Sequence, residues 1–300
     1  MKRWVYFFAF LGTQLFAQAQ KETPSFTKEK ISTAQAITLG VVQGITEFLP
    51  ISSTGHMIIA NECIFHTHEK SMDVQNGMKA YIICINVGTI FMLLLFFRNH
   101  LQRILKGFCG HDSGGFQLGM NLCFAFIPAG LLGFFTEKAL DAFYTRACVA
   151  LGLIVGGFFI FWIERVREKS VGRYANIYEL PFASAWVIGG FQCIALWPGF
   201  SRSLSTIIGG ILVGFTLVQA IQFSFLLGLL TDSLATVYKF FKHGEELRQT
   251  IDGSTAWLGI VVAFLVGVST IHGLFQFLQK NGLRVFGYYR ILVGFLLLLL

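Results

Sequence analysis

Residues 43–56 read QGITEFLPISSTGH, an apolar frame that carries Glu47, Ser52, Ser53, Thr54 and His56 around Pro50. The stretch decides the fold because of what surrounds it. The 300-residue chain is 54% hydrophobic and 13% charged, with 33 Phe, whereas soluble domains average about 25% charged residues. Several windows supply the roughly 20 apolar residues that a spanning helix needs. A helix facing lipid cannot break at a proline in mid-membrane, because the freed backbone groups would go unpaired. Such a break survives only where it is packed in protein or lines a wet cavity. The chain therefore reads as an all-α integral membrane protein, with 43–56 at the tip of a re-entrant hairpin.

Six windows fit spanning helices, at about 79–97, 119–136, 147–163, 217–239, 255–279 and 285–300. Two further apolar stretches, 33–60 and 181–214, are each interrupted by proline, glycine and hydroxyl residues: FLPISSTGH in the first and WPGFSRSLST in the second. The two also resemble each other. GVVQGITEFLPISS starts at Gly40 and GGFQCIALWPGFSR at Gly189, each with Gln three residues on, then Pro, then Ser. Three spanning helices lie between them. An odd number brings the second copy in from the opposite side, so the halves form an inverted repeat, with a site expected near the midplane where the broken segments meet.

The net charge of +7 raises nucleic acid as a partner, but no soluble basic domain carries it. Excess Lys and Arg instead mark cytoplasmic loops. Loops at 98–118, 164–180 and 280–284 hold nine basic residues, against five in those at 61–78, 137–146 and 240–254, which puts both termini outside. MKRWVYFFAFLGTQLFAQAQ at the start has the layout of a secretory signal peptide ending at Ala19, an uncleaved helix being the alternative. Residues 20–31 are then a polar linker, and 32–300 a single membrane domain. The six cysteines are scattered singly without CxxC spacing, an argument against a zinc site or redox pair.

Glu47 is a carboxylate in an apolar segment, a position that usually marks function. Arg202, in WPGFSRS, has no acid within ten residues. A buried guanidinium needs a counter-charge, so its partner is Glu47, a bound anion, or both, and its planar fork suits phosphate oxygens. Ser53 and His56 are one helical turn apart, which sets an imidazole near a hydroxyl, the minimum for an activated serine; a Ser–His pair also occurs as a satisfied polar contact. Ser52, Thr54, Ser201, Ser203 and Thr206 add hydroxyls that are either helix caps or phosphate ligands. The helices that follow each cluster would favour an anion at their N-termini. The inventory describes a phosphate site on a lipid-borne substrate.

With these residues in hand, the chain closely resembles the bacterial undecaprenyl-diphosphate phosphatases of the bacitracin-resistance type. Their (E/Q)xxxE motif reads QGITE at Gln43–Glu47, their PxSSTGH stretch reads PISSTGH at Pro50–His56, and their PGxSRSxxT motif reads PGFSRSLST at Pro198–Thr206. The resemblance covers about 33–300. It implies six spanning helices with two re-entrant hairpins in inverted repeats. It also implies hydrolysis of undecaprenyl diphosphate to the monophosphate on the periplasmic face of the inner membrane, which recycles the carrier for peptidoglycan and other envelope polymers. Bacitracin would then compete for the substrate; the sequence does not fix the oligomeric state, a homodimer being one option. Functional positions carry over to Gln43, Glu47, Ser53, Thr54, His56, Ser201, Arg202 and Thr206. The chain departs from the pattern at Gln43, Leu204, Gln222 and Leu230, which bears on substrate fit and metal.

In the expected mechanism Ser53 attacks the terminal phosphorus with His56 as base and later acid, water activated by His56 being the alternative. Glu47 orients His56 or holds a divalent ion, Mg2+ or Ca2+. Arg202 neutralises the developing charge with Ser201, Ser203 and Thr206, while Gln43, Ser52 and Thr54 complete the phosphate contacts. A lipid transporter is the rival reading, since broken helices in inverted repeats are a transporter feature. The other membrane-phosphatase class, with its KxxxxxxRP, PSGH and SRxxxxxHxxxD set, does not fit, because its histidine position is Ile208.

Overall fold

The structure is a computed structural model that describes residues 31–65, 72–168, 172–250 and 252–299. The expected signal peptide and linker residues 20–30 lie outside the described residues. All regular elements among the described residues are helical.

Both interrupted stretches fold as read. The first forms α1 (Thr33–Thr46), an irregular turn, and α2 (Ser53–Ile59), which continues as a π-helical turn over Ala60–Ile64. Ser32 and Gln35 make a capping box at the start of α1, each side chain bonding the other's backbone N–H. The second stretch forms α7 (Phe182–Ile194), a turn through Pro198, and α8 (Arg202–Leu212). The longer helices are α3 (Met72–Phe96), α5 (Ser113–Asp141), α6 (Arg146–Glu168), α9 (Leu217–Thr250), α10 (Gly253–Asn281) and α11 (Arg284–Leu299), with the shorter α4 at Arg98–Phe108.

Six spans were expected. Among the described residues four helices are long and apolar enough to cross a membrane: α5, α6, α9 and α10. The window at 79–97 belongs to α3, which meets α4 at a bend of 75° and makes a fifth span only with it. The window at 285–300 forms α11, which has 16 residues. The multi-pass reading stands.

Segment 98–118 is not the loop the charge reading made it. Its pattern is amphipathic: Leu101 and Ile104 pack on the core while Arg98, Arg103 and Lys106 are exposed. It therefore forms α4, which lies across the end of α5. Arg103 grips Asp112, the N-cap of α5, through Nε at 2.8 Å and Nη2 at 3.2 Å. That hydrogen-bonded pairing holds the Asp112 carboxyl down at about 2. Likewise much of 240–254 is the end of α9.

The halves pack as a repeat. Each consists of a hairpin followed by three long helices. The first hairpin's α1 lies on α10 and the second's α7 on α5, while α3 lies on α9 and α6 on α11. Exchanging the halves turns the first pairing into the second and leaves the other two unchanged, as a two-fold relation requires. The equivalent glycines Gly40 and Gly189 serve both contacts. A Cβ would stand 2.9 Å from the Gly259 carbonyl at Gly40, and 2.6 Å from the Ala125 carbonyl at Gly189, so glycine lets the backbones approach, as is common between membrane helices. Residues Ser203–Ile211 of α8 are buried on every face, so this short helix stands inside the bundle with its N-terminus at the two breaks.

Candidate active site

The two breaks are built alike. Ser52 and Ser201, nine residues after Gln43 and Gln192, are the N-caps of α2 and α8, and their side chains accept from Gly55 N and Leu204 N. Both are held in the left-handed region, at φ 72° and 81°, the only non-glycine residues so placed among those described. Such backbone costs about 1–3 kcal/mol per residue and concentrates at functional sites. It persists here because the surroundings fix both turns. Ser203 Oγ donates to the Leu49 carbonyl at 3.2 Å and also meets Ser201 Oγ at 3.0 Å, tying one turn to the other.

Arg290 ties them more strongly. It is 0% exposed and its guanidinium donates to five backbone carbonyls: Pro50 in the first turn, Gly199 and Phe200 in the second, and Gly152 and Leu153 on α6. No carboxylate joins it among the described residues. The Pro50, Gly199 and Phe200 carbonyls, left bare by the two breaks, are thus gathered on one cation together with two carbonyls of α6.

The ion cluster lies beside this clamp. Arg202, the first residue of α8, donates from Nη2 to Glu47 Oε1 at 2.7 Å, joining the two breaks through one of the partners that the charge argument allowed. The same nitrogen donates to Asp232 Oδ2 on α9 at 2.6 Å. The second oxygen of Glu47 accepts from Gln43 Nε2 at 2.9 Å, and that amide also bonds Asn86 Oδ1 on α3. Four elements therefore converge on Arg202 and Glu47, whose side chains are 17% and 12% exposed. The first-turn amides of α8 face the same turn, a favourable end for an anion.

His56 is turned differently from the simple reading. Its Nδ1 lies 2.8 Å from the Ser52 carbonyl and its Nε2 2.7 Å from the Tyr289 hydroxyl. Among the described residues no hydrogen bond joins it to Ser53, which is half-buried at the start of α2. Thr54 is exposed. Thr206 is buried, and its hydroxyl contacts the Arg202 carbonyl and Ser224 Oγ on α9, at 2.9 and 2.6 Å. It braces α8 from behind.

Among the described residues no group of three or more His, Cys, Asp or Glu side chains gathers to hold a metal. Glu47 and Asp232 nevertheless meet at one nitrogen. A hard cation such as Mg2+ is often bound by one or two carboxylates together with substrate phosphates, and this pair suits an ion that arrives with a phosphate.

Sequence reading missed Asp232, Asn86, Tyr289 and Arg290. Asp232 and Arg290 lie inside apolar windows, so the rule that singled out Glu47 applies to them too. Tyr289 and Asn86 carry no such signal, because tyrosine and asparagine are unremarkable in sequence and acquire meaning only from the partner that packing supplies.

Residues 36–296 match the profile of the family described as bacitracin resistance protein BacA. The chain is 37% identical over 266 residues to a protein of Sorangium cellulosum named undecaprenyl-diphosphatase, covering 88% of this chain and 84% of that one. It is 38% identical over 265 residues to undecaprenyl-diphosphatase 2 of Rhodospirillum rubrum, covering 88% and 93%. A third relative, from Campylobacter jejuni and also named undecaprenyl-diphosphatase, is 35% identical over 260 residues, covering 87% and 91%.

Proposed function

The chain belongs to the bacitracin resistance protein BacA family, and on that premise we propose that it hydrolyses undecaprenyl diphosphate to undecaprenyl phosphate and inorganic phosphate. The observation that carries this reading is the Arg202–Glu47 ion pair, which brings the two broken stretches into one polar site inside an apolar bundle. A soluble phosphate ester has no need of a site at that depth, whereas a diphosphate on a prenyl tail does. The product serves as the lipid carrier for cell-envelope synthesis. The site opens to the periplasmic face of the inner membrane, and bacitracin competes for the same lipid.

Nη2 of Arg202 holds the two carboxylates, which leaves Nε and Nη1 as donors for the phosphate oxygens. The guanidinium and the first amides of α8 offset the charge that develops on the equatorial oxygens, the main electrostatic task in phosphoryl transfer. Ser53 Oγ attacks the terminal phosphorus and the bridging P–O bond breaks, releasing undecaprenyl phosphate. His56 takes the serine proton through Nε2, the nitrogen left without hydrogen when Nδ1 donates to Ser52. His56 passes that proton to the departing phosphate, and the freed nitrogen then takes a proton from the water that attacks phosphorus and returns it to the serine oxygen as phosphate leaves. A divalent cation, Mg2+ or Ca2+, would be held by Glu47 and Asp232 and would neutralise phosphate oxygens.

Phosphate release from undecaprenyl diphosphate by the purified protein tests the reading directly. Loss of release in Arg202→Ala supports the site, and full activity in that variant would sink it. Ser53→Ala at wild-type activity would instead transfer the attack to water.

A further inference from the structure

We propose that Tyr289 is a positioning residue for this hydrolysis, holding His56 in the tautomer and orientation that a general base needs. The proposal rests on His56 as the base. Tyr289 reaches it from α11, 233 residues along the chain, and its hydroxyl stands 2.7 Å from Nε2. The two rings lie parallel within 5°, centroids 5.6 Å apart. On the other side, Nδ1 meets the Ser52 carbonyl at 2.8 Å. A carbonyl only accepts, so in the neutral ring Nδ1 carries the hydrogen and Nε2 has the lone pair. Tyr289 then donates into that lone pair. One partner on each nitrogen and a stacked ring leave the imidazole a single orientation.

Both anchors are themselves fixed. Ser52 is the strained N-cap of α2. Tyr289 is followed by Arg290, whose guanidinium is pinned to carbonyls of both re-entrant turns and α6, so α11 cannot slide without breaking that clamp. The base is thus registered against the same cation that sets the two turns. Nε2 has one lone pair, so the tyrosine hydroxyl turns its hydrogen aside when Ser53 presents its proton there, and the new N–H then donates to the tyrosine oxygen. The contact thus serves the imidazole before and after transfer.

The experiment is steady-state phosphate release from undecaprenyl diphosphate in detergent micelles, with melting temperatures measured alongside, for Tyr289→Phe, Tyr289→Ala and His56→Ala. Phenylalanine keeps the stacked ring and removes only the hydroxyl. We expect kcat to fall about tenfold, the usual scale for losing a group that orients a functional side chain, with KM and melting temperature unchanged. Alanine, which also removes the stacking, lowers kcat further. Wild-type kcat in Tyr289→Phe overturns the proposal, as does a kcat loss accompanied by a drop in melting temperature, which would make the contact structural. The failures are distinguishable. His56→Ala at wild-type kcat means that the base assignment is wrong, whereas inactive His56→Ala beside unaffected Tyr289→Phe removes only the role of Tyr289.

Discussion

Asp232 Oδ2 accepts a hydrogen bond at 2.6 Å from Arg202 Nη2, the same nitrogen that serves Glu47. The guanidinium is therefore aimed from two sides, by the tip of the first hairpin and by the middle of α9. Replacing Asp232 by Ala leaves one anchor and lets the group turn. We expect phosphate release to fall about tenfold, a scale in keeping with misplacement of a catalytic charge, with Asn retaining more activity because it still accepts. Arg202→Lys does not substitute, since an ammonium lacks the planar fork. Equal activity in Asp232→Ala and the wild type would dismiss the two-sided aim.

Gly228 lies one turn before Asp232 on α9, and a Cβ there would stand 1.8 Å from Arg202 Nη1. Gly228→Ala must displace the guanidinium without touching its partners' chemistry. Gly190 is the comparison, because a Cβ on it meets nothing within 4 Å. The expected result is a loss of kcat in Gly228→Ala and none in Gly190→Ala, read in the same phosphate-release assay.

Arg290 offers a stability prediction. Arg290→Met leaves the Pro50, Gly199 and Phe200 carbonyls without this donor, and a buried acceptor left unsatisfied costs about 1–3 kcal/mol. The melting temperature in detergent should drop sharply and activity with it. Lys at this position places a single ammonium where a fork reached three segments, so it restores little. A variant as stable as the wild type would show that the turns hold without the clamp.

Chelation tests the ionic part of the mechanism. Phosphate release should fall in the presence of EDTA and return on adding Mg2+ or Ca2+, because Glu47 and Asp232 provide oxygen ligands of the kind these cations prefer. Release that is indifferent to EDTA would remove the cation from the mechanism and leave Arg202 as the main source of positive charge.

The sequence by itself determined the membrane class, both re-entrant breaks and the repeat that relates them. These follow from local physics: apolar length, the inability of lipid to satisfy a broken backbone, and the prolines at 50 and 198 that mark the breaks. It also named Glu47 as one of the two counter-charges open to Arg202, the other being a bound anion, since a guanidinium at that depth needs one. Where charge counting stood in for packing it erred, as α4 shows, because the same basic residues sit as well on an amphipathic helix as on a loop.

Only the tertiary structure decided what each polar group does. Asp232 and Gly228 acquire roles from α9 passing Arg202, and Tyr289 acquires one from the end of the chain returning to the first hairpin. Spacing placed His56 beside Ser53, but the ring's two nitrogens are taken by the Ser52 carbonyl and Tyr289. A hydrogen bond depends on distance and direction in space. Partners separated by 155 and 233 residues become neighbours only when the two halves of the repeat close on each other, and Asp232 reaches Arg202, 30 residues away, only when α9 folds back along α8.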